Sequence, residues 1–238
     1  MKLDILAFGA HPDDVELGCS GTLAKEISLG KKVGIIDLTR GELGTRGSVE
    51  IRNSESEAAS KILGITVREN LDMRDGFFVN DENHQLKVIE MIRKYQPEIV
   101  ICNAIDDRHI DHAKGSKLVS DACFLSGLVK IKTLNNNFPQ EAWRPKLVYH
   151  YIQWKNLEPD FVVDISNFID KKEAAILAYS SQFYNPNSNE PVTPIATKNF
   201  LDSIHNRSRE LGRLIGTEYA EGFTVERYLA VNSLGDLI

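Results

Sequence analysis

Two short runs hold residues of the types and spacing that support metal-assisted hydrolysis. His11, Asp13 and Asp14 stand in Gly9-Ala10-His11-Pro12-Asp13-Asp14-Val15-Glu16, and His109, Asp111 and His112 in Arg108-His109-Ile110-Asp111-His112. Catalytic zinc typically takes three protein ligands, histidine nitrogens and carboxylate oxygens among them, and keeps an open position. His11 and Asp14, three residues apart in a tight loop, can share one ion, and His112 can close a two-histidine, one-aspartate set. Such an ion lowers the pKa of water and polarises a carbonyl. Successive side chains diverge, which leaves Asp13 free to act as a general base. His109, three residues before His112, could stabilise an oxyanion or protonate a leaving amine. Asp111 could orient a neighbouring histidine.

The flanking sequence indicates how these residues are positioned. The apolar run Leu3 to Phe8 reads as a buried strand, and Leu17 to Leu29 as a helix rich in small residues. Lys32 to Leu38 reads as the next strand, which makes a strand–helix–strand unit and a parallel sheet. The Arg108–His112 run follows a further strand, Glu98 to Cys102, and precedes a helix from Ala113 to Leu125. Both motifs are therefore expected in strand-to-helix loops, where open α/β sheets bind ligands. A glycine-rich loop, Thr39 to Gly47, leads into a helix over Val49 to Leu63 that carries Arg52 and Glu55. Val67 to Leu71, Lys146 to Tyr151 and Phe161 to Ile165 read as strands; Gln85 to Tyr95, Lys171 to Tyr179 and Asn199 to Ile215 read as helices. Thr133 to Gln140 is a polar loop, and Asn185 to Pro194 is a long loop that could lie over the site.

Composition narrows the class. With 238 residues, 42% hydrophobic and 26% charged, a single α/β domain spanning 1–238 is the expectation. The net charge of −6 and the scattered Lys and Arg argue against nucleic acid or an anionic membrane as partner. Cys19, Cys102 and Cys123 form no CxxC pair, so reduced thiols and a cytoplasmic location are expected. No apolar run approaches a membrane span. Each motif alone has a plainer explanation. His-Pro-Asp-Asp can be a turn with Asp capping a helix, and surface His and Asp are common. Gly18-Cys19-Ser20-Gly21 lacks the phosphate-loop patterns, so close helix packing is the better reading. Cys19 reads as a small core residue, and His84, His150 and His205 as structural or exposed. The joint occurrence of the two motifs, each after an apolar strand, favours the metal site. A binding module for sugars or nucleotides without hydrolytic activity is the rival from another class.

The stretch AHPDDVELGCSGTLAK at 10–25, TRGELGTRG at 39–47, Arg52 with Glu55, and RHIDH at 108–112 resemble the LmbE-like, or PIG-L-like, zinc deacetylases, in that family's motif order. SSQFYNP at 180–186 and YAEGF at 219–223 are similar to the bacillithiol-biosynthesis branch, which deacetylates N-acetylglucosaminyl malate. The resemblance implies a Rossmann-like α/β fold, with a mostly parallel sheet and helices on both faces. It implies removal of acetyl from an N-acetylglucosamine conjugate, a chitooligosaccharide or antibiotic precursor being the alternative substrate. It implies one Zn2+ per chain, or Fe2+, held by His11, Asp14 and His112. Asp13 would be the base, His109 the acid or oxyanion stabiliser, and Arg52 and Arg108 substrate contacts. It further implies a homo-oligomer, often a hexamer.

Overall fold

A computed structural model describes residues 1–236. In chain order the elements are β1 (Ile5–Gly9), α1 (Asp14–Ser28), β2 (Val33–Thr39), α2 (Val49–Leu63), β3 (Val67–Met73), α3 (Glu82–Tyr95), β4 (Ile99–Cys102), α4 (Ile110–Leu125), β5 (Leu134–Asn135), β6 (Phe138–Pro139), β7 (Leu147–Tyr151), β8 (Phe161–Asp164), α5 (Ile169–Leu177), α6 (Lys198–Ile215) and β9 (Ala220–Val225). Seven strands form one sheet in the order β3-β2-β1-β4-β7-β9-β8. All its pairings are parallel except those of β9, which runs antiparallel to both β7 and β8.

The apolar runs explain the centre of this sheet. β1 and β2 are buried throughout, as strands covered on both faces must be. Their alternate side chains enter two separate cores. Leu6, Phe8, Ile36 and Leu38 pack with Val88, Ile92, Leu118 and Val119 of α3 and α4. Ile5, Ala7, Val33 and Ile35 pack with Val15, Cys19 and Leu23 of α1 on the opposite face. A third cluster joins α1, α2 and α5 through Ala24, Ala59, Leu63, Ala175 and Ile176. Helices therefore cover both faces, and the fold is the mostly parallel α/β arrangement expected. Among the described residues, no helix is long and apolar enough to cross a membrane.

Several boundaries differ from expectation. α1 begins at Asp14 rather than Leu17, and α4 at Ile110 rather than Ala113. Asp14, Asp111 and His112 are thus first-turn helical residues, not loop residues. Acidic side chains are favoured there by the unpaired N–H groups and the helix dipole, and the His109 ring accepts the Asp111 N–H as an N-cap. The polar 133–140 loop contains the β5–β6 hairpin, which turns at Asn136 and Asn137, both at positive φ. Such a two-residue turn favours asparagine. The YAEGF stretch, which carried no strand assignment, supplies β9.

Gly18 and Gly21 serve close packing, as expected for this small-residue helix. A Cβ at Gly18 would come within 2.7 Å of the Tyr151 ring at Cγ, and one at Gly21 within 2.7 Å of Ile165 Cδ1. Tyr151 is fully buried and donates its hydroxyl to the Phe8 carbonyl at 3.2 Å, so it cannot yield. Gly18→Ala should destabilise the protein by about 1–3 kcal/mol through overpacking. For a chain of this size that lowers Tm by roughly 2–4 °C per kcal/mol; calorimetry showing an unchanged Tm would contradict this packing.

Candidate metal centre

β1 has β2 on one side and β4 on the other, and the chain leaves these two strands toward opposite faces. That is the switch point at which open α/β sheets bind ligands beyond the strand carboxyl ends. His11 follows β1, Asn103 and Asp107 follow β4, Gln153 and Trp154 follow β7, and Asp75 follows β3. His11, Asp75, Gln153 and Trp154 line a cavity of about 440 Å³ together with Asp13, Asp14, Arg46, Arg52, Arg108, His109 and His112, and Asn103 and Asp107 contact Asp14 and His112 in its wall. The sequence-predicted residues except Asp111 thus line one cavity, and Asp111 lies directly behind it.

Asp14 joins the two motifs. Its Oδ2 lies 3.5 Å from His11 Nδ1, and its Oδ1 lies 3.1 Å from His112 Nε2. Oδ2 also accepts the His11 N–H and Asn103 Nδ2, each at 3.0 Å, and Oδ1 accepts Gln153 Nε2 at 2.7 Å. The outer ring nitrogens face other carboxylates. His11 Nε2 is 3.0 Å from Asp75 Oδ1 and 3.4 Å from Asp111 Oδ2. His112 Nδ1 is 2.6 Å from Asp107 Oδ2. Asp107 is itself fixed by the N–H groups of Arg108, Trp154 and Lys155. Asp111 thus faces a histidine from behind, and so do Asp75 and Asp107, which were not singled out in the sequence. Asp75 carried no local signal, and Asp107, although next to the second motif, showed none of its own.

The charge balance describes a cation site. Burial opposes charge on His11, but Asp111, Asp14 and Asp75 outweigh it and hold the ring well above its ordinary pKa. Burial opposes charge on His112 too, yet Asp14 and Asp107 raise it to about 9. Asp14 would be raised by burial, but His112 and His11 keep it well below the usual carboxylate range. Two imidazoles facing one carboxylate, each backed by another, hold protons where a divalent ion could replace them. Among the described residues, two sets of donors lie within 4.8 Å of one another: His11 with His109 and His112, and His11 with Asp75 and Asp111. In the first set, His109 Nδ1 is already the acceptor for the Asp111 N–H at 3.3 Å. In the second, Asp75 accepts the Leu43 N–H and Asp111 accepts the Gly76 N–H. Asp14 is the carboxylate that touches both His11 and His112, which keeps His11 Nδ1, Asp14 and His112 Nε2 as a candidate set beside these two.

Asp13 points away from Asp14. It is the N-cap of α1 but makes no side-chain cap bond, and its φ of 112° is rare for a non-glycine residue. Its Oδ2 instead accepts Arg52 Nη2 at 2.8 Å. The same guanidinium reaches the carbonyls of Pro12 and Gly41. Burial pushes the Asp13 pKa up to about 7 against the pull of Arg52. His109 is held below its ordinary value by burial and by His11 and His112. With Nδ1 accepting a backbone N–H, its proton sits on Nε2. Arg108 is exposed, with Cζ 4.4 Å from the centre of the Trp154 ring. Thr193 and Pro194 bring the 185–194 loop to the cavity wall.

Residues 6–123 match the family described as PIG-L: GlcNAc-PI de-N-acetylase. A diacetylchitobiose deacetylase of Thermococcus kodakarensis is 30% identical over 75% of this chain and 70% of its own length. The crystal structure of the conserved protein TT1542 from Thermus thermophilus superposes with a TM-score of 0.86 at 37% identity, covering 97% of this chain and 98% of that one. This chain belongs to the PIG-L family. The uncharacterized deacetylase YaiS of Escherichia coli is 37% identical over 45% of this chain, and that match spans 61% of YaiS. The PIG-L match contains both motifs and ends within α4. It leaves out the segments that supply Gln153, Trp154, α6 and β9.

If Asp107 orients His112, then Asp107→Ala should weaken metal binding about 10–100-fold, measured by competition with a chromogenic chelator. Affinity equal to wild type would remove Asp107 from the site.

Proposed function

We propose that this protein is a metal-dependent N-deacetylase of N-acetylglucosamine conjugates, with His11, Asp14 and His112 as ligands of one Zn2+. The observation that carries this reading is the buried Asp14 carboxylate between His11 and His112, with Asp13 beside it but turned onto Arg52. Family membership and the deacetylase named among the relatives support the reaction class. A divalent ion at those ligands supplies the Lewis acidity that polarises an acetyl carbonyl and makes water a nucleophile at neutral pH.

The chain's own residues do the remaining work. Asp13 takes the proton of the attacking water. Burial raises its pKa against the pull of Arg52, and a cation bound beside it would keep it ionised and ready to accept a proton. Arg52 fixes the direction of Asp13 through a charge-assisted bond and balances its charge. Arg52 therefore acts mainly through Asp13, with substrate contact secondary. His109 carries its proton on Nε2 and can donate it to the developing oxyanion or to the departing amine. Arg108, on the Trp154 face at the rim, is the candidate contact to the aglycone. N-acetylglucosaminyl malate, the bacillithiol precursor, is the substrate we favour, on the similarity of 180–186 and 219–223 to that branch. Residues 1–238 are taken as one domain, because C-terminal β9 lies between β7 and β8 in the sheet; residues 237–238 lie outside the described residues.

Acetate release from a panel of N-acetylglucosamine conjugates, with metal content measured alongside, tests the reading. Asp13→Ala should retain metal and lose about 10²–10⁴-fold in kcat. Near wild-type turnover in that variant would dismiss Asp13 as the base, and wild type that binds metal but hydrolyses none of the panel would sink the deacetylase assignment. We also propose a homo-oligomer, on family resemblance, to be checked by light scattering at micromolar concentration. A monomer mass there refutes it.

A further inference from the structure

The cavity holds more positive charge than its own acids neutralise. Each carboxylate lining it already has a cationic or imidazole partner: Asp13 has Arg52, Asp14 has His11 and His112, Asp75 has His11, and Glu221 has Lys172 Nζ at 2.5 Å. Arg46, Arg108 and Arg207 also line the cavity. Among the described residues, none of these three has an Asp or Glu oxygen within 4.0 Å.

Of the three, Arg46 is buried and Arg207 half-buried. Arg46, on the loop after β2, is only 5% exposed. Its one side-chain bond runs from Nη2 to the Ser188 hydroxyl at 2.8 Å, and its Nε is buried without a partner. Its backbone is pinned: Gln182 Nε2 donates to the Arg46 carbonyl, and the Gly47 N–H donates to Glu190. Arg207, on α6, donates from Nη2 to the Trp154 carbonyl at 2.6 Å, and its Nε is likewise buried and unpartnered. Burial pulls the Arg207 pKa down, partly offset by the charge of Asp107, which lies beyond ion-pair distance and is already bonded to His112. Trp154 stacks on Phe200 of α6 with ring centres 5.2 Å apart, and the Arg108 guanidinium lies over the Trp154 ring. A buried guanidinium bonded only to neutral acceptors, with a donor left over, is costly to hold. An anion in the cavity would give the two guanidinium groups a charged acceptor, and planar guanidinium forks suit carboxylate and phosphate oxygens.

We propose that Arg46 and Arg207 form an anion-binding subsite in the cavity, which receives a carboxylate or phosphate carried on the aglycone of the sugar. The substrate class is then anionic conjugates of an N-acetylated amino sugar rather than neutral oligosaccharides. The subsite builds on the deacetylase reading above, but it binds anions whether or not that reading holds.

The test uses the metal-loaded protein and two probes, free malate and inorganic phosphate, titrated by calorimetry into wild type and the Arg46→Met/Arg207→Met double variant. Wild type should bind at least one probe, and the double variant should bind it about 10–100-fold more weakly, the loss expected for a charged hydrogen bond. The probe bound more tightly identifies the anion as carboxylate or phosphate. In turnover, kcat/KM on N-acetylglucosaminyl malate or N-acetylglucosamine 1-phosphate should fall by a similar factor, mainly through KM. The loss on plain N-acetylglucosamine should be far smaller. Single Arg46→Gln and Arg207→Gln variants, with Tm compared, separate loss of the subsite from loss of the fold. Equal binding by wild type and the double variant, binding of neither probe by wild type, or an equal fall on neutral and anionic sugars overturns the proposal. Probe binding that depends on the two arginines in a protein that hydrolyses no sugar would uphold the subsite and reject the deacetylase reading.

Discussion

The Asp14 carboxylate is 2% exposed, so its charge must be balanced by groups the fold brings to it. Those groups come from four places in the chain. His11 follows β1, Asn103 follows β4, Gln153 follows β7, and His112 stands in the first turn of α4. His11 reaches Asp14 from three residues away, but Asn103, Gln153 and His112 reach it only because β1, β4 and β7 lie side by side in parallel register. The sheet order and the site are therefore one constraint seen at two scales. Asn103 makes the coupling explicit: its side chain accepts the Ala10 N–H and donates to Asp14, tying the ends of β1 and β4 together.

A second set of buried charges holds α1, the helix that carries Asp14, from the side and from behind. Glu16 lies 2.6 Å from Arg68, which also makes a two-point contact with Asp37 of β2. Further along, Lys172 and Glu221 enter the helix backbone itself. Lys172 donates to the Leu17 carbonyl, while Glu221 accepts the N–H groups of Gly21 and Thr22. Buried ion pairs are weak contributors to net stability, because desolvation offsets much of the attraction. Their effect here is positional: α1 presents no broad apolar stripe, and these contacts fix its rotation and depth relative to the sheet. Small residues at 18 and 21 let it approach closely enough for them to form.

The same arrangement separates the acids and bases by task. Asp13 and Asp14 are adjacent, yet one sits between two imidazoles and the other on a guanidinium, with pKa values driven in opposite directions. The left-handed backbone at Asp13 lets neighbouring side chains serve these two separate environments. Turn chemistry alone would have made Asp13 an ordinary cap. The absent cap bond and the strained φ mark it as held for another purpose.

Local sequence determined what depends on near neighbours. The apolar runs announced the central strands because a strand buried on both faces needs an unbroken apolar stretch. His11 with Asp14 and His109 with His112 were legible as pairs because three-residue spacing keeps side chains close in a turn or a first helical turn. Tertiary structure alone decided what depends on distant neighbours. Asp75 reaches His11 across 64 residues, and an isolated Asp there looks like any turn residue. Asp107 stands beside the second motif but shows its role only through its contact with the His112 ring. β9 could not be assigned a place, because inserting one antiparallel strand between β7 and β8 depends on sheet-edge pairing and not on its own six residues. Arg46 and Arg207 read as scattered surface cations. Only the folded chain shows that they share one cavity and that, among the described residues, neither has a carboxylate oxygen within 4.0 Å, because pairing of charges is a property of positions in space.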